Sequence, residues 1–84
     1  MVLKAIIGRE EITITLNEGW RFADVDENVK IQDYESAPSA KPEPGLFENK
    51  GDASMSPFVI VVPEANFYGI HVDVEWQTSC CEEI

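Results

Sequence analysis

Apolar and polar residues alternate along several stretches of the chain, and this period of two predicts β-strands. Two such stretches are residues 2–7, VLKAII, and residues 11–17, EITITLN, in which every second residue from 12 to 16 is a large aliphatic one. Alternation with β-branched residues is typical of half-buried strands. Because only a short connection containing Gly8 separates the two stretches, we expect them to form a hairpin.

A second hairpin is predicted around the polar segment DEN, residues 26–28. The stretch before it, RFADV, and the stretch after it, VKIQDYE, both contain alternating apolar residues. Val29 and Ile31, for example, alternate with Lys30 and Gln32. A short helix from about residue 26 to residue 35 is an alternative, because Asp26 would be a suitable N-cap.

The last third of the chain contains two further strand patterns. Residues 58–62, FVIVV, are five consecutive apolar residues between two prolines, which favours a central strand covered on both faces. Residues 67–78, FYGIHVDVEWQT, alternate most regularly of all and predict one long strand. Its predicted apolar face consists of Tyr68, Ile70, Val72, Val74 and Trp76, and its polar face of Gly69, His71, Asp73, Glu75 and Gln77.

Residues 36–57 interrupt every pattern with four prolines and two glycines. A loop of about 20 residues without secondary structure is uncommon in a compact domain, so we expect this loop to be mobile or functional. Leu46 and Phe47 are the apolar residues that could attach its middle to the body of the domain.

The predicted fold is all-β or α+β, with a single small antiparallel sheet of about five or six strands built from hairpins. A chain of 84 residues buries too little surface for two cores, so we expect one domain spanning residues 1–84, with the long loop at about 36–57. Cys80 and Cys81 are adjacent, which does not suit an unstrained disulfide, and we expect reduced thiols. No signal-peptide pattern or apolar run of membrane-spanning length occurs, and a cytoplasmic location is expected.

The sign of the charge is the abnormal feature of the composition. Sixteen acidic residues against six basic ones give a formal net charge of -10. Residues 1–41 carry eight acids and five bases, a balance of -3, whereas residues 42–84 carry eight acids and one base, a balance of -7. Such a surface repels nucleic acid and anionic membranes, so we expect neither to bind directly and a large partner to be basic.

Residues 24–35, DVDENVKIQDYE, match part of the calcium loop of EF-hands. Asp24, Asp26, Asn28 and Glu35 fall at loop positions 1, 3, 5 and 12. Position 6, however, requires a glycine with positive φ, and here it is the β-branched Val29. The flanking sequences also lack the pattern of a helix pair. We therefore interpret this segment as a turn whose polar side chains accept local hydrogen bonds.

The remaining chemical groups do not predict an enzyme. His71, Asp73 and Glu75 share one strand face, but residues four apart on a strand are separated by about 13 Å, too far to share one metal ion. Cys80 or Cys81 could pair with His71 only if the fold brought them together. We found no phosphate-binding loop and no zinc-binding pair, and we predict no catalytic residue, no metal site and no cofactor.

The sequence therefore favours a non-enzymatic binding protein, most concretely a small acidic inhibitor that occupies the basic, nucleic-acid-binding surface of a partner. It resembles small acidic inhibitors of phage or mobile-element origin, such as anti-CRISPR and anti-restriction proteins, in size and charge only, with no shared motif. On that similarity, a phage-encoded protein would act in the cytoplasm of the host cell. The residues predicted to contact the partner are Asp73, Glu75, Glu82, Glu83, Glu43, Glu48 and Asp52.

Two alternatives remain at this stage. The protein could be a structural or accessory subunit of a larger assembly, such as a phage particle, in which Trp20, Phe22 and the long loop pack against neighbouring subunits. A small enzyme or metal-binding domain comes third. The sequence also leaves a homodimer open.

Overall fold

The computed structural model describes residues 3–38 and 43–76, and in these ranges it is rich in strands. The prediction of a strand-rich, antiparallel fold is confirmed, but the prediction of one sheet with five or six strands is wrong, because the strands form three small sheets. The eight strands in the described ranges are β1 (Leu3–Ile7), β2 (Glu11–Leu16), β3 (Trp20–Phe22), β4 (Val29–Tyr34), β5 (Asn49–Gly51), β6 (Phe58–Val61), β7 (Phe67–Val72) and β8 (Val74–Trp76).

The first sheet contains the predicted hairpin and has the strand order β1-β2-β6. β1 and β2 are antiparallel, with Ala5 opposite Ile14, which confirms the hairpin. β6 pairs with the other side of β2, with Ile60 opposite Ile12. The aliphatic residues of β2 all point to one face and are buried, as their spacing of two requires.

β6 is an edge strand, so the prediction that FVIVV forms a central strand covered on both faces is wrong. Among the described strands it pairs only with β2. Ile60 points into the core, whereas Val59 and Val61 lie on the outer face and are 50% and 75% exposed. A run of apolar residues cannot by itself show which faces are covered, because that depends on the elements that pack against the strand.

The predicted long strand, residues 67–78, is divided into β7 and β8 at Asp73. β7 pairs with β4, whereas β8 pairs with β3. The amide N–H of Asp73 donates to the carbonyl of Asn28 at 2.8 Å, and its carbonyl accepts from the N–H of Ala23 at 2.9 Å. One residue therefore joins the two-stranded sheet β3-β8 to the three-stranded sheet β5-β4-β7.

The predicted second hairpin is also wrong, because β3 and β4 do not pair with each other. They lie one after the other along the same edge of residues 67–76. Residues 23–28, called the 23–28 loop below, leave that edge after β3 and return to it at β4. The alternative helix from residue 26 is absent from the described structure, since Val29–Tyr34 is a strand.

The core lies between the inner faces of these sheets. Ile12 and Ile14 of β2 and Val29 and Ile31 of β4 are completely buried. Aliphatic residues of this size contribute about 1.5–3 kcal/mol each when they are removed from water, so this cluster is the main source of stability. Further buried members are Leu16, Phe22, Ala53, Ile60 and Val62.

The predicted long loop is partly ordered by the three-stranded sheet β5-β4-β7, called the second sheet below. Asn49–Gly51 forms β5 against β4, and Pro44–Leu46 forms a 3-10 helix. Phe47 is buried against Gly69 of β7, where an added Cβ would lie 3.1 Å from its ring. Leu46 does not attach the loop, because it is 75% exposed. The prediction of a loop without secondary structure thus fails for residues 44–46 and 49–51, and residues 39–42 lie outside the described ranges.

Trp76, predicted to lie on the buried face of the last strand, is 59% exposed. The other apolar residues predicted for that face do pack against the core: Tyr68, Ile70, Val72 and Val74. Trp76 instead contacts Trp20, edge to face, with ring centroids 5.4 Å apart. The turn before β3 approaches the same ring closely. Gly19 has a φ of +93°, and a Cβ there would lie 2.7 Å from the Trp76 ring.

We predict that Gly19→Ala lowers the free energy of unfolding by about 1–3 kcal/mol, because alanine is strained at positive φ and its methyl group collides with the indole ring. Chemical denaturation measures this loss. The matched control is Gly45→Ala, since a Cβ at Gly45 meets no atom within 4 Å. In a Trp76→Ala background the effect at Gly19 should be smaller. Equal losses at the two glycines would contradict the prediction.

Candidate functional site

The 23–28 loop projects from the edge of residues 67–76 and is closed at its base by the backbone of Asp73. Within the loop, the N–H of Val25 donates to the carbonyl of Ala23 at 2.9 Å, which makes a tight bend. Glu27 has a φ of 53°, in the left-handed region that non-glycine residues seldom adopt. Such a conformation persists only where surrounding contacts hold it, so the loop has a defined shape.

The side chain of Asn28 supplies those contacts at the base of the loop. Its Nδ2 donates to the carbonyls of Ala23 at 2.9 Å and of Ala53 at 2.8 Å, and its Oδ1 accepts from the N–H of Ala53 at 2.8 Å. Asn28 is only 3% exposed. The three bonds satisfy most of the hydrogen-bonding capacity of a buried amide, which would otherwise be costly to bury.

Asp52 fixes the other side of the loop. Its Oδ1 accepts a hydrogen bond from the N–H of Glu27 at 2.7 Å, and the side chain of Glu27 lies 3.7 Å from Lys50 Nζ. The segment after β5 therefore lies beside the 23–28 loop, although the two are distant in sequence. This contact brings together acidic residues that no sequence pattern connects.

A groove of about 480 Å³ lies between the loop, the segment after β5 and β8. Four carboxylates line it, from Asp24, Asp26, Asp52 and Glu75, and Arg21 is the one basic side chain in the lining. Arg21 Nε is hydrogen-bonded to Glu75. The remaining three carboxylates leave the groove strongly negative. We call these four acids and Arg21 the acidic groove.

Asp24 and Asp26 have no ion-pair or hydrogen-bond partner in the described ranges, so their charges face solvent at the tip of the loop. A negative concave surface attracts cations, and a lysine or arginine side chain from another protein is of suitable chemistry. No group of three or more His, Cys, Asp or Glu side chains within residues 3–38 and 43–76 has the geometry to hold a metal ion.

The structure also shows why residues 24–35 do not form an EF-hand loop. Val29, at the position that requires glycine, is the first residue of β4 and is completely buried. Glu35 follows the end of β4, and a strand of this length rises about 20 Å at 3.3 Å per residue. Glu35 is therefore too far from Asp24 to share an ion with it. Residues 24–28 do form a turn, but it does not close a hairpin, and among the described residues Asp24 and Asp26 accept no local hydrogen bond, contrary to the interpretation.

Of the predicted contact residues, the structure brings together Asp52 and Glu75, in the acidic groove. Asp73 does not line the groove; its carboxylate lies 3.8 Å from Lys30 Nζ and within hydrogen-bond distance, 3.1 Å, of His71 Nε2. Glu75 is balanced by Arg21. Both acids of the predicted contact face thus have a basic neighbour on the adjacent strand, and their role as partner contacts stays a prediction.

The other predicted contact residues do not join the groove. Glu48 interacts with the side chain of Gln32, on the second sheet. Glu43 is exposed beside the 3-10 helix. Glu82 and Glu83 lie outside the described residues. Asp24 and Asp26 line the groove but were not predicted to contact the partner. The partial calcium motif had marked both as closely spaced acids.

Most bases in the described ranges are already paired with acids. Arg9 lies 3.8 Å from Glu64, and the remaining pairs are Arg21 with Glu75, Lys30 with Asp73 and Lys50 with Glu27. Exposed ion pairs of this kind contribute about 0–1 kcal/mol to stability, so their main effect is on the surface charge. They leave the acidic groove as an uncompensated negative region.

No protein-family model, curated protein or solved structure matches this chain. In the described ranges, no helix is long and apolar enough to cross a membrane.

We predict that Asn28→Ala lowers the free energy of unfolding by about 2–4 kcal/mol, because two carbonyls and one N–H at the base of the loop lose their partner. Urea denaturation measures the loss, and amide exchange at Glu27 should become faster as the loop loosens. Asn28→Asp should lose at least as much, since it keeps the acceptor for Ala53 but buries a carboxylate oxygen against the carbonyls of Ala23 and Ala53. Asn66→Ala is the control, because that exposed side chain makes one bond, to the Glu35 carbonyl. Equal effects of the two alanine variants would show that the Asn28 contacts do not hold the loop.

Proposed function

We propose that this protein is a non-enzymatic binding protein whose acidic groove engages a basic, nucleic-acid-binding surface of a partner protein and thereby inhibits it. The observation that carries this proposal is the acidic groove itself. Asp24, Asp26 and Asp52 lie around one concavity, and the one base in its lining is already paired with Glu75. A partner's arginine or lysine side chains would supply the missing positive charge.

The net charge of the chain supports the same partner class. A protein with a formal charge of -10 is repelled by nucleic acid and by anionic membranes, and it is attracted over long range to basic grooves. Such steering mainly accelerates association and selects against acidic partners. Basic grooves that have evolved to bind phosphates present the charges that this surface would neutralise.

The construction of the groove supports binding with little rearrangement. Asn28 and Asp73 fix the base of the 23–28 loop, and Asp52 fixes its far side. Carboxylates that are already held in place lose less conformational freedom on binding than carboxylates on a loose chain would. The proposal thus differs from non-specific attraction by an acidic surface, because it depends on particular positions.

Small acidic inhibitors of phage or mobile-element origin offer a comparison of size and charge for this mode of action. In our proposal the inhibited partner is a protein that binds nucleic acid in the cytoplasm of the cell where this chain is made. Capture from a cell lysate would identify that partner.

We predict that Asp24→Lys combined with Asp26→Lys abolishes capture of the partner. Wild-type protein and the double variant would be immobilised in parallel and incubated with lysate of the producing cell, and the retained proteins would be quantified by mass spectrometry. Wild type should retain a nucleic-acid-binding protein that excess duplex DNA or RNA releases. Raising the salt concentration should also weaken retention, because exposed charges are screened over about 8–10 Å at physiological ionic strength.

The matched control for this experiment is Glu11→Lys combined with Glu35→Lys. It makes the same change in net charge at exposed positions that do not line the groove. The control should retain the partner nearly as well as wild type. If both double variants lose the partner equally, net charge rather than the groove is responsible. If neither loses it, the acidic groove is not the contact.

The second candidate function is a subunit of a larger assembly, and the exposed apolar side chains of the long loop favour it. Leu46 and Met55 are each 75% exposed and could pack against a neighbouring subunit. Phe22, which the sequence had suggested for this role, is buried in the core. An apolar contact should be nearly indifferent to salt, which distinguishes it from electrostatic binding.

A further inference from the structure

The edge of β1 that faces away from β2 presents backbone groups that have no partner in the described ranges. β1 is an outer strand of its sheet. The N–H of Gly8 donates to the carbonyl of Glu11, which fixes the phase of the β1-β2 ladder. Because hydrogen-bonded and non-hydrogen-bonded pairs alternate in antiparallel strands, the N–H and C=O groups of Leu3, Ala5 and Ile7 point to this outer edge.

The opposite edge of the same sheet is protected by proline. The N–H of Val62 donates to the carbonyl of Glu10, so the outward-facing residues of the β6 segment are 57, 59, 61 and 63. Two of these are Pro57 and Pro63, which have no N–H. Proline on an outer edge is one of the means by which proteins prevent further strand pairing. The outer edge of β1 contains no proline.

β1 also exposes apolar side chains on both of its faces. Ile6 is 54% exposed and Ile7 is 53% exposed. Ile7 has the same phase as Leu3 and Ala5, which pack against the core, and none of the described strands lies beyond β1 to cover it. An edge strand with these properties favours pairing with another strand.

The segment around β1 carries less negative charge than the rest of the chain, so it should repel a second copy less. Residues 3–9 contain Lys4 and Arg9 and no acid. Lys4 has no acidic partner among the described residues. Arg9 lies 3.8 Å from Glu64, so Lys4 is the charge in this segment that stays uncompensated among the described residues. Two copies that meet along β1 therefore bring no acidic side chains of this strand face to face, although the chain as a whole has a formal charge of -10.

We propose that two copies of this chain pair through antiparallel β1 strands, related by a two-fold axis at Ala5. In this register Leu3 of one copy lies opposite Ile7 of the other, and Lys4 lies opposite Ile6. The free backbone groups then satisfy one another, since each hydrogen-bonded pair exchanges two bonds. Leu3 covers the exposed Ile7, and the aliphatic stem of Lys4 covers Ile6.

The proline-protected edge explains why association would stop at two copies. Pairing through β1 produces a continuous six-stranded sheet with the order β6-β2-β1-β1-β2-β6. Both outer edges of this sheet are β6 strands, each with Pro57 and Pro63 at outward positions. A two-fold interface uses the same surface on both copies and closes on itself.

Formation of this dimer should depend on salt in the opposite way from binding of the basic partner. The dimer proposal does not rest on the proposed function. The contact is a single strand pair, smaller than a standard interface, so association should be weak. Each copy has a large negative charge, and added salt screens the repulsion between the two copies. Salt should therefore strengthen the dimer while it weakens binding to a basic partner.

The test is sedimentation velocity of the full chain over about a hundredfold range of concentration, at low and high salt. The fraction of dimer in a weak complex rises with protein concentration. Wild type should shift from monomer to dimer, and more completely at high salt. Ala5→Pro should stay monomeric under all these conditions. The N–H of Ala5 points outward, so proline at this position removes no β1-β2 hydrogen bond. Ala5→Val, which keeps the N–H, should still dimerise.

Hydrogen exchange of the wild-type protein provides a second measurement that does not depend on the folding of a variant. The amides of Leu3, Ala5 and Ile7 should become more protected as the concentration rises, whereas those of Val59 and Val61 should not change. A wild-type protein that is monomeric throughout, or a dimer that Ala5→Pro leaves intact, would overturn the proposal. Oligomers that grow beyond two copies would also overturn it, because β6 would then not protect the outer edges.

Discussion

The backbone of Asp73 is the constraint on which the arrangement of β3, β4 and the 23–28 loop depends. Its N–H binds Asn28 and its C=O binds Ala23, so a single residue faces both ends of the 23–28 loop. β3 and β4 can therefore lie in line along one strand, with the residues between them displaced outward. A hairpin of β3 and β4 would have used the same backbone groups for each other. It would have left no projecting loop and no groove.

Asn28 converts this backbone arrangement into a defined site. Its buried side chain links the base of the loop to Ala53, and Asp52, one residue earlier, binds the backbone of Glu27. The acids of the groove thus come from three separate parts of the chain. Their mutual repulsion is a cost, and the buried aliphatic core of β2 and β4 provides the stability that offsets it.

The surface of the molecule is divided between regions with different electrostatic character. Ion pairs with nearby acids neutralise Lys30 and Lys50 of the second sheet and Arg21 of β3. The acidic groove remains negative, whereas β1 carries Lys4 and no acid. In the two proposals these surfaces bind different partners, and the two kinds of binding respond to salt in opposite directions.

The sequence by itself determined the strand-rich class, the first hairpin, and the inward direction of residues such as Ile12, Ile14 and Ile70, because a period of two directly specifies which side chains share a face. It also determined the net charge, and hence the class of partner that we propose. Only the tertiary structure decided that Asp73 divides the last strand, that β6 lies at an edge, and that Asp24, Asp26, Asp52 and Glu75 line one groove. These features depend on which strands are neighbours, and pairing between distant segments leaves no local pattern in the sequence. Trp76 illustrates the limit, because alternation assigns it to the same face as Val74 but does not show which element covers it. In the structure it contacts Trp20 and stays 59% exposed.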